Sequence, residues 1–364
     1  MERTIVDYLH ALVRSNGSDL HLSVGLPPSL RVAGELRPLI ADALTEDDIY
    51  ALLMSVLTDS QRGKLEENLE LDFAININDV GRFRGNAHYI RGAVEATFRH
   101  ILEVIPSLEQ LGHKRIIKQL CNVKDGLVLV TGVTGSGKSS TLAAMINLIS
   151  QQKKGVIITV EDPIEFVFSH GNCAVKQREV GTDTHSFAAA LKYAMRQDPD
   201  VIMVSELRDM ETIQAAISAA ETGHLVLGTL HTIDAPRSLD RLIDVFPPNQ
   251  QSQIIAQLAN CLRAVVSQRL VKTSKSDNRV LVEEVMIVNH PIRSCIRDRK
   301  FEQIDSLIEL GAKDGMFTID HHLCELIRKG KITVDEAYEN SRDNTVIDSY
   351  LEEKKRREEG QEAG

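Results

Sequence analysis

The stretch TGVTGSGKSST, residues 131–141, follows directly on the apolar run GLVLV. Its spacing of Gly132, Gly137, Lys138 and Ser139 fits the pattern GxxxxGK[ST], in which a glycine-rich loop joins a strand to a helix. Glycines let the backbone curl with its N–H groups turned inward, so that a polyphosphate can meet several donors and a helix N-terminus at once. The pattern therefore predicts a phosphate-binding loop, against the alternative of an ordinary glycine-rich turn.

The side chains of this loop have separate expected tasks. Lys138 would reach the outer phosphates of a nucleotide, and Ser139 would ligate Mg²⁺. We therefore expect ATP and Mg²⁺ as cofactors. The residues expected to contact the nucleotide are Thr134, Gly135, Ser136, Gly137, Lys138, Ser139 and Ser140.

The chain after the loop predicts an α/β fold. Continuous apolar strands alternate with helical stretches, as in GVIITVED, SFAAALKYAMRQ, VIMVSE and HLVLGTLHT. This alternation predicts a parallel sheet covered on both faces. Ligands of such sheets bind at the carboxyl ends of the strands, which is where the phosphate loop begins.

The pattern differs toward both ends of the chain. The first hundred residues mix helical periodicity with short alternating strands between Gly and Pro breaks, which predicts a small mixed α/β domain. After about residue 300 the chain is helical, and its end, LEEKKRREEGQEAG, is interpreted as a frayed helix or disorder. The predicted parts are an N-terminal domain (1–105), a linker (106–115), the phosphate-loop domain (116–300), a C-terminal helical region (301–345) and a charged tail (346–364).

The composition excludes some classes of protein. With 43% hydrophobic and 26% charged residues the chain is typical of globular proteins. No apolar stretch approaches the roughly 18 residues that a membrane span needs, so we expect a cytoplasmic protein. A net charge of −10 argues against a general nucleic-acid binder, which usually has a basic excess, and no nucleic-acid partner is expected.

Two acidic clusters are candidates for hydrolysis, which needs a Mg²⁺ partner and a group that orients or deprotonates water. VEDPIEF places Glu161, Asp162 and Glu165 after one apolar strand, and VIMVSE places Glu206 after another. Carboxylates are costly to bury at such places unless they hold a metal, a water or a cation. The alternative is a helix cap or a surface acid.

Histidines and arginines form two further candidate sets. His224 and His231 flank the apolar strand of HLVLGTLHT, and we expect one beside the nucleotide and the other in a hinge or packing role. Arginines near the end of the first domain are either surface residues or donors of positive charge to a transition state across a subunit boundary. They are Arg82, Arg84, Arg91 and Arg99, which we expect on strands.

Seven motifs together resemble a known family. In chain order GSDLHL, GRFRGN, GVTGSGKSSTLAA, VEDPIEF, RQDPDVIMVSELRD, AAETGHLVLGTLHT and DRLIDVFPPNQQ are similar to hallmarks of the secretion ATPase superfamily, and within it of the branch that retracts type IV pili. The resemblance covers roughly residues 1–340. It implies a PAS-like α/β domain followed by a RecA-like P-loop NTPase domain with C-terminal helices.

The resemblance also implies roles for single residues. Glu165 would be the general base, Glu206 would serve Mg²⁺, and the two histidines would form the His box, with His231 among the catalytic residues. Arg84 and Arg99 fall where the family presents arginines to a neighbouring subunit's nucleotide. Two departures from the family, Ser205 for Gly and Asp234 for Ser, put the turnover rate in question, because Asp234 would bring a negative charge near the site.

A last motif bears on the direction of work. HPIRSCIRDRK is similar to AIRNLIRE, a helix motif that the family associates with retraction. Ile292, Arg293, Ile296 and Arg297 match it, while a proline and a cysteine replace Ala and Leu. Ordinary packing alone would explain the two isoleucines.

The partners implied by the resemblance are a second set of expectations. The family forms homohexamers at the inner-membrane base of the pilus machine, where they act on a platform protein, with an accessory paralogue in some systems. Three alternatives stay open: an accessory subunit of the same fold that turns over poorly, another secretion-type ATPase of this fold, and a nucleic-acid translocase.

Overall fold

The computed structural model describes residues 4–32, 34–101, 104–274 and 276–362. The chain divides into two compact units, Met1–Val104 with Glu165–Val167, and Ile105–Ile164 with Phe168–Gly364. Residues 1–3, 33, 102 and 103 of the predicted first domain, residue 275 of the phosphate-loop domain and residues 363 and 364 of the predicted tail lie outside the described residues. The domain boundaries given above stay predictions.

The first unit is a small α/β unit, as the sequence predicts. Its elements are α1 (Ile5–Arg14), β1 (Asp19–Leu22), β2 (Ser29–Val32), β3 (Glu35–Pro38), α2 (Glu46–Met54), α3 (Asp59–Asn68), β4 (Glu70–Ile77), β5 (Gly81–Ile90) and β6 (Ala93–Ile101). Among the described residues the strands form one antiparallel sheet in the order β3-β2-β1-β6-β5-β4.

Local sequence explains most of these elements. All three helices begin with a threonine capping box, in which the Thr side chain and the side chain three residues on satisfy each other's backbone N–H groups. The helix α3 has no apolar stripe, since Leu65 is its one buried residue, and periodicity alone misses it. Its Thr58–Gln61 capping box is the signal that could have found it.

The second unit contains the phosphate loop and the remaining α-helices and strands of the described chain. They are α4 (Arg115–Leu120), β7 (Gly126–Thr131), α5 (Lys138–Gln152), β8 (Gly155–Glu161), β9 (Cys173–Glu179), α6 (Phe187–Ala194), β10 (Val201–Val204), α7 (Met210–Glu221), β11 (Leu225–Leu230), α8 (Ala235–Asp244), α9 (Pro248–Cys261), β12 (Leu262–Thr273), β13 (Ser276–Ile287), α10 (His290–Asp298), α11 (Ile304–Leu310), α12 (Ile319–Arg328), α13 (Val334–Asn340) and α14 (Asn344–Glu362).

A mixed sheet runs through the second unit. In the described part of the chain its order is β13-β12-β7-β11-β10-β8-β9, and every pair is parallel except β12 with β13. Every residue of β7, β10 and β11 is buried, as the continuous apolar runs predict. The four strands predicted from apolar runs, β7, β11, β10 and β8, are therefore confirmed as parallel neighbours. The parallel strand β9 and the antiparallel hairpin of β12 and β13 are absent from the prediction.

Helices follow the sheet, as expected for the chain beyond residue 300. Buried side chains of α12 and α13, among them Leu323 and Ala337, pack with Val271 of β12 and Val282 of β13. The tail predicted to be a frayed helix or disorder is helical, since α14 runs to Glu362.

Candidate nucleotide site

The phosphate loop joins β7 to α5 with the backbone geometry that its glycines permit. Gly132, Gly135 and Gly137 have φ angles of 146°, 78° and 89°, in the region that other residues rarely adopt. A Cβ atom on Gly132 would lie 2.2 Å from the carbonyl oxygen of Gln268, so this position also has no room for a side chain. Gly137 is the N-cap of α5 and has no side chain to cap it, so the first N–H groups of the helix are available to an anion.

Three polar residues open the helix α5. The Nζ atom of Lys138 donates to the carbonyl oxygens of Gly132 at 2.8 Å and Val133 at 3.1 Å, which holds its ammonium group over the loop. Ser139 and Ser140 follow in the first turn and are half-buried. The residues predicted to contact the nucleotide, 134–140, thus form the loop after β7 and the first turn of α5.

A second group of side chains meets at the ends of the neighbouring strands. Nε2 of His231, which follows β11, lies 3.4 Å from Oε2 of Glu206, which follows β10. Nδ1 of the same ring lies 3.4 Å from the Thr134 hydroxyl in the loop. His231 therefore bridges the phosphate loop and Glu206, and it is the histidine expected beside the nucleotide.

An arginine that the sequence reasoning missed completes this group. Nε of Arg208 donates to Oε2 of Glu206 at 2.8 Å, and its Nη1 lies 4.0 Å from Oδ2 of Asp162. Burial acts to raise the pKa of Glu206, but the hydrogen bond and charge of Arg208, with His231, outweigh it and lower that pKa. Glu206 is thus held as a carboxylate, the form that can serve a metal ion. The signal was an arginine two residues after the acid, in the motif SELRD.

The remaining acids and histidine predicted for the site do not join the group around Glu206. Glu161 is 5% exposed, and its Oε1 accepts from Thr159 at 2.6 Å and Gln177 at 3.0 Å, so its burial is compensated inside its own unit. His224 contacts the carbonyl oxygen of Ala219 through Nδ1 at 3.0 Å, at the opposite end of β11 from the loop. Glu165 is exposed, and its predicted role as a base stays a prediction.

Of the four arginines that the sequence singled out in the first unit, three lie on its sheet and one does not. Arg82 and Arg84 are in β5, and Arg84 is directly opposite Arg99 in β6. Arg99 pairs with Asp19 at 2.8 Å and Arg84 with Asp72 at 3.6 Å. The expectation that Arg91 lies on a strand is wrong: it has a φ angle of 54° in the turn between β5 and β6, where the chain reverses.

The predicted motif helix is α10, which begins at His290 after the N-cap Asn289. Ile292 and Ile296 are fully buried in the core of the second unit, as ordinary packing requires. Arg297 is exposed and Arg293 is half-buried, and Nε of Arg293 has no hydrogen-bond partner among the described residues.

The negative charge that Asp234 brings near the site has partners in the structure. Its carboxylate accepts the backbone N–H of Arg237 at 2.8 Å as the N-cap of α8, and it lies 4.0 Å from Nη2 of Arg342. Arg342 also donates to Glu284 at 2.9 Å. Burial raises the pKa of Glu284 to about 7, against the charge of Arg342. The charge of Asp234 therefore belongs to a compensated cluster behind the His box.

A cavity of about 310 Å³ extends from the loop along β12. Besides loop residues, its lining includes Gln268, Arg269, Arg279 and Asn340. Sequence reasoning missed this side of the site. The only signal was the polar run SQR inside the apolar strand β12.

The chain belongs to the type II/IV secretion system protein family, because residues 78–358, more than half of its length, match that family's model. It is thus a secretion-type ATPase. Within this class it is a homologue of the type IV pilus retraction ATPase PilT. It is 44% identical to PilT of Pseudomonas aeruginosa over 338 residues, covering 93% of this chain and 98% of PilT.

Two further comparisons agree. A crystal structure of the pilus retraction motor PilT with bound ADP matches with a TM-score of 0.90 and 44% identity, covering 94% of this chain and 98% of that one. The type IV pilus ATPase PilU of Pseudomonas aeruginosa is 40% identical over 329 residues, covering 90% of this chain and 86% of PilU. The expected fold and family are confirmed. In the described part of the chain no helix is long and apolar enough to cross a membrane.

Proposed function

We propose that this chain is a hexameric ATPase motor that hydrolyses ATP to power type IV pilus retraction, and hence twitching motility. The observation that carries the proposal is His231, whose ring lies between the phosphate loop and the ionised Glu206. In the proposed setting the ring works in the cytoplasm, at the inner-membrane base of the pilus, on a PilC-like platform protein. A PilU-like paralogue is a further candidate partner, and no nucleic acid is needed.

The phosphates of ATP would bind in the loop. The N–H groups of the loop and the N-terminus of α5 supply donors and positive potential to the phosphate oxygens. Lys138 already lies over the loop and would exchange its two backbone carbonyl acceptors for phosphate oxygens. The 44% sequence identity with PilT, whose crystal structure contains bound ADP, supports adenine nucleotides as ligands.

The residues present fit Mg²⁺. This ion is usually held by one or two protein oxygens together with phosphates and waters. The Ser139 hydroxyl and the Glu206 carboxylate are the proposed holders. When bound, the ion would neutralise charge on the phosphates.

Hydrolysis would proceed by attack of a water molecule on the terminal phosphorus. Glu165 would accept the proton of this water, and ADP would leave with the electrons of the broken P–O bond. Arg84 and Arg99 would contribute positive charge to a neighbouring subunit's site. This last assignment makes the active enzyme an oligomer.

Deletion of the gene in a piliated host is the test of retraction. We expect cells with more surface pili that no longer move by twitching, because assembly continues without disassembly. Complementation with the intact gene restores movement, and complementation with Lys138→Ala does not. Normal movement and pilus number in the deletion strain would refute the proposal.

The similarity to PilU favours one alternative, an accessory ATPase that supports a separate retraction motor. A purified accessory protein would turn over ATP slowly, and its deletion would leave retraction working in the presence of the other motor. DNA stimulation of the ATPase rate would instead indicate a translocase. Phosphate release with and without DNA separates these three functions.

The helix α10 is proposed to transmit work to another part of the machine. Its isoleucines are in the core, while Arg297 is exposed. Two like charges four residues apart weaken an isolated helix slightly, so the arginines give α10 itself no advantage. Arg293→Ala with Arg297→Ala is expected to leave ATP turnover close to wild type and to abolish retraction, measured as pilus retraction speed.

A matched control for that double variant is Lys313→Ala with Arg328→Ala, which removes two exposed cations from the region after residue 300. It is expected to retract pili normally. If Arg293→Ala with Arg297→Ala also retracts at normal speed, or unfolds, α10 has only a structural role.

A further inference from the structure

A buried histidine connects the segment before α4 with the phosphate loop. The side chain of His113 is 1% exposed, and its Nδ1 lies 2.7 Å from Oε2 of Glu283 in β13. Its Nε2 lies 2.9 Å from the hydroxyl of Thr141 in α5. The other oxygen of Glu283 accepts the backbone N–H of Lys114 at 2.9 Å. The ring is thus fixed between a carboxylate and a hydroxyl, away from water.

The contacts continue from Thr141 to the loop. Its hydroxyl oxygen lies 2.9 Å from Oε1 of Gln268 and 3.1 Å from the carbonyl oxygen of Gly137. Nε2 of Gln268 donates to the carbonyl oxygen of Ser136 at 2.7 Å. Five side-chain and backbone groups therefore form one chain from Glu283 to the backbone of the phosphate loop.

Counting protons fixes the direction of this chain. The Ser136 carbonyl can only accept, so the NH₂ group of Gln268 must face it and Oε1 must face Thr141. The single hydroxyl proton of Thr141 is then needed by Gln268 or by the carbonyl of Gly137. If it pointed to His113 instead, both of these oxygens would face a lone pair at 2.9 and 3.1 Å. Nε2 of His113 must therefore be the donor.

We infer that the His113–Glu283 pair holds two protons, one more than a neutral histidine beside a carboxylate. With both protons present, the N–H at Nε2 orders the phosphate loop through Thr141. One proton is on Nε2 and is donated to Thr141. The second lies between Nδ1 and Oε2 of Glu283. His113 is thereby a positioning residue, and its effect on ATP rests on the proposed role of the loop.

The charges around the pair favour this assignment. The ammonium group of Lys114 pairs with Glu325 rather than with Glu283. Burial acts to raise the pKa of Glu325, but Lys114 and Lys329 outweigh it and lower that pKa to about 2. Burial, and after it the charge of Lys114, lowers the pKa of His322, whose Nδ1 accepts the backbone N–H of Glu283 at 3.0 Å. Neither Lys114 nor His322 therefore supplies a charge partner to Oε2 of Glu283, which lies 2.7 Å from Nδ1 of His113.

These hydrogen bonds fix the orientation of one peptide in the phosphate loop, the peptide between Ser136 and Gly137. In a trans peptide the C=O of Ser136 and the N–H of Gly137 point in opposite directions. Because Gln268 holds that carbonyl, the N–H of Gly137 is turned away from Gln268. Loss of the Thr141 hydroxyl would free Gln268 and then this peptide.

The proton count can be read by NMR on the full-length protein. Histidine labelled with ¹⁵N is observed in the sedimented protein by magic-angle-spinning NMR, and the signals of His113 are identified by their loss in His113→Asn. We expect Nε2 of His113 to carry a proton and Nδ1 to show the shift of a nitrogen that shares a proton with Glu283. An unprotonated Nε2, or an Nδ1 with no shared proton, overturns the inference. If His113→Asn does not fold, the proton correlation of Thr141, lost in Thr141→Val, identifies the ring.

A nucleotide titration tests the consequence for the loop. Thr141→Val is expected to raise the Kd of a fluorescent ADP by about tenfold, which is the order of one hydrogen bond, and Thr141→Ser is expected to restore it. The turnover number at saturating ATP should change less than KM. Equal Kd values for the wild type and Thr141→Val refute the proposed link between His113 and the phosphate loop.

Lys138→Ala separates this failure from failure of the proposed function. If Lys138→Ala weakens ADP binding while Thr141→Val does not, the loop binds nucleotide, but the proposed link between His113 and the loop is wrong. If Lys138→Ala also leaves the Kd unchanged, the assignment of the loop itself is wrong.

Discussion

Arg84→Ala or Arg99→Ala is expected to lower the ATP turnover number of the assembled protein by about 10³-fold, because an arginine that enters a neighbour's site stabilises transition-state charge. The two side chains lie directly opposite each other on β5 and β6. Like charges in such a cross-strand pair are unfavourable. Their side chains remain 40% and 66% exposed although each has an acidic partner. Phosphate release by the isolated oligomer measures the effect.

The same variants should bind nucleotide normally as isolated subunits, because the arginines serve another copy's site. Arg37→Ala is a matched control: Arg37 is also an exposed arginine paired with a carboxylate, Glu35, but it lies on the edge strand β3. Its turnover should equal that of the wild type. The idea of a shared site fails if a monomer hydrolyses ATP as fast as the oligomer.

Glu165→Gln is expected to lower the turnover number by about 10²–10⁴-fold while ATP stays bound, because an amide cannot take the proton from the attacking water. The substitution preserves the size and shape of the side chain, so the phosphate loop should be unaffected. Lys138→Ala should show the opposite pattern, with weak binding, because it strips positive charge from the phosphates. Binding and turnover are measured separately, by nucleotide titration and by single-turnover hydrolysis.

Glu309→Gln makes the same chemical change at an exposed position of α11 and should have no effect on either measurement. If Glu165→Gln and Lys138→Ala lose ATP binding equally, Glu165 contributes to binding rather than to proton transfer. If Glu165→Gln turns over normally, another group is the base.

Much of the second unit follows from the sequence because its signals are local. The phosphate loop depends on glycines within a few residues of each other, and their positive φ angles are the ones expected for such a loop. The buried strands β7, β10 and β11 are continuous apolar runs. Where local signals were weak the prediction failed: the hairpin of β12 and β13 joins the sheet through pairing with β7, which no local pattern specifies.

The residues of the candidate site also include some that the sequence indicated and some that it did not. The sequence indicated Lys138, Ser139, Glu206 and His231 by their positions at strand ends, where a parallel sheet brings side chains to one edge. It did not indicate Arg208 as the partner of Glu206. The sequence left the effect of Asp234 on turnover open, and the structure shows this carboxylate as a helix cap beside Arg342.

The sequence by itself determined the class of fold, the phosphate loop and the edge of the sheet where acids and histidines collect, because periodicity and loop chemistry act over a few residues. Tertiary structure alone decided which distant groups meet. His113 and Glu283 are 170 positions apart, and Ser136 and Gln268 are 132 apart. A sequence pattern shows that a polar side chain is buried, but the partner that satisfies it is set by the packing of the sheet. The chain of hydrogen bonds behind the phosphate loop is therefore a property of the folded molecule.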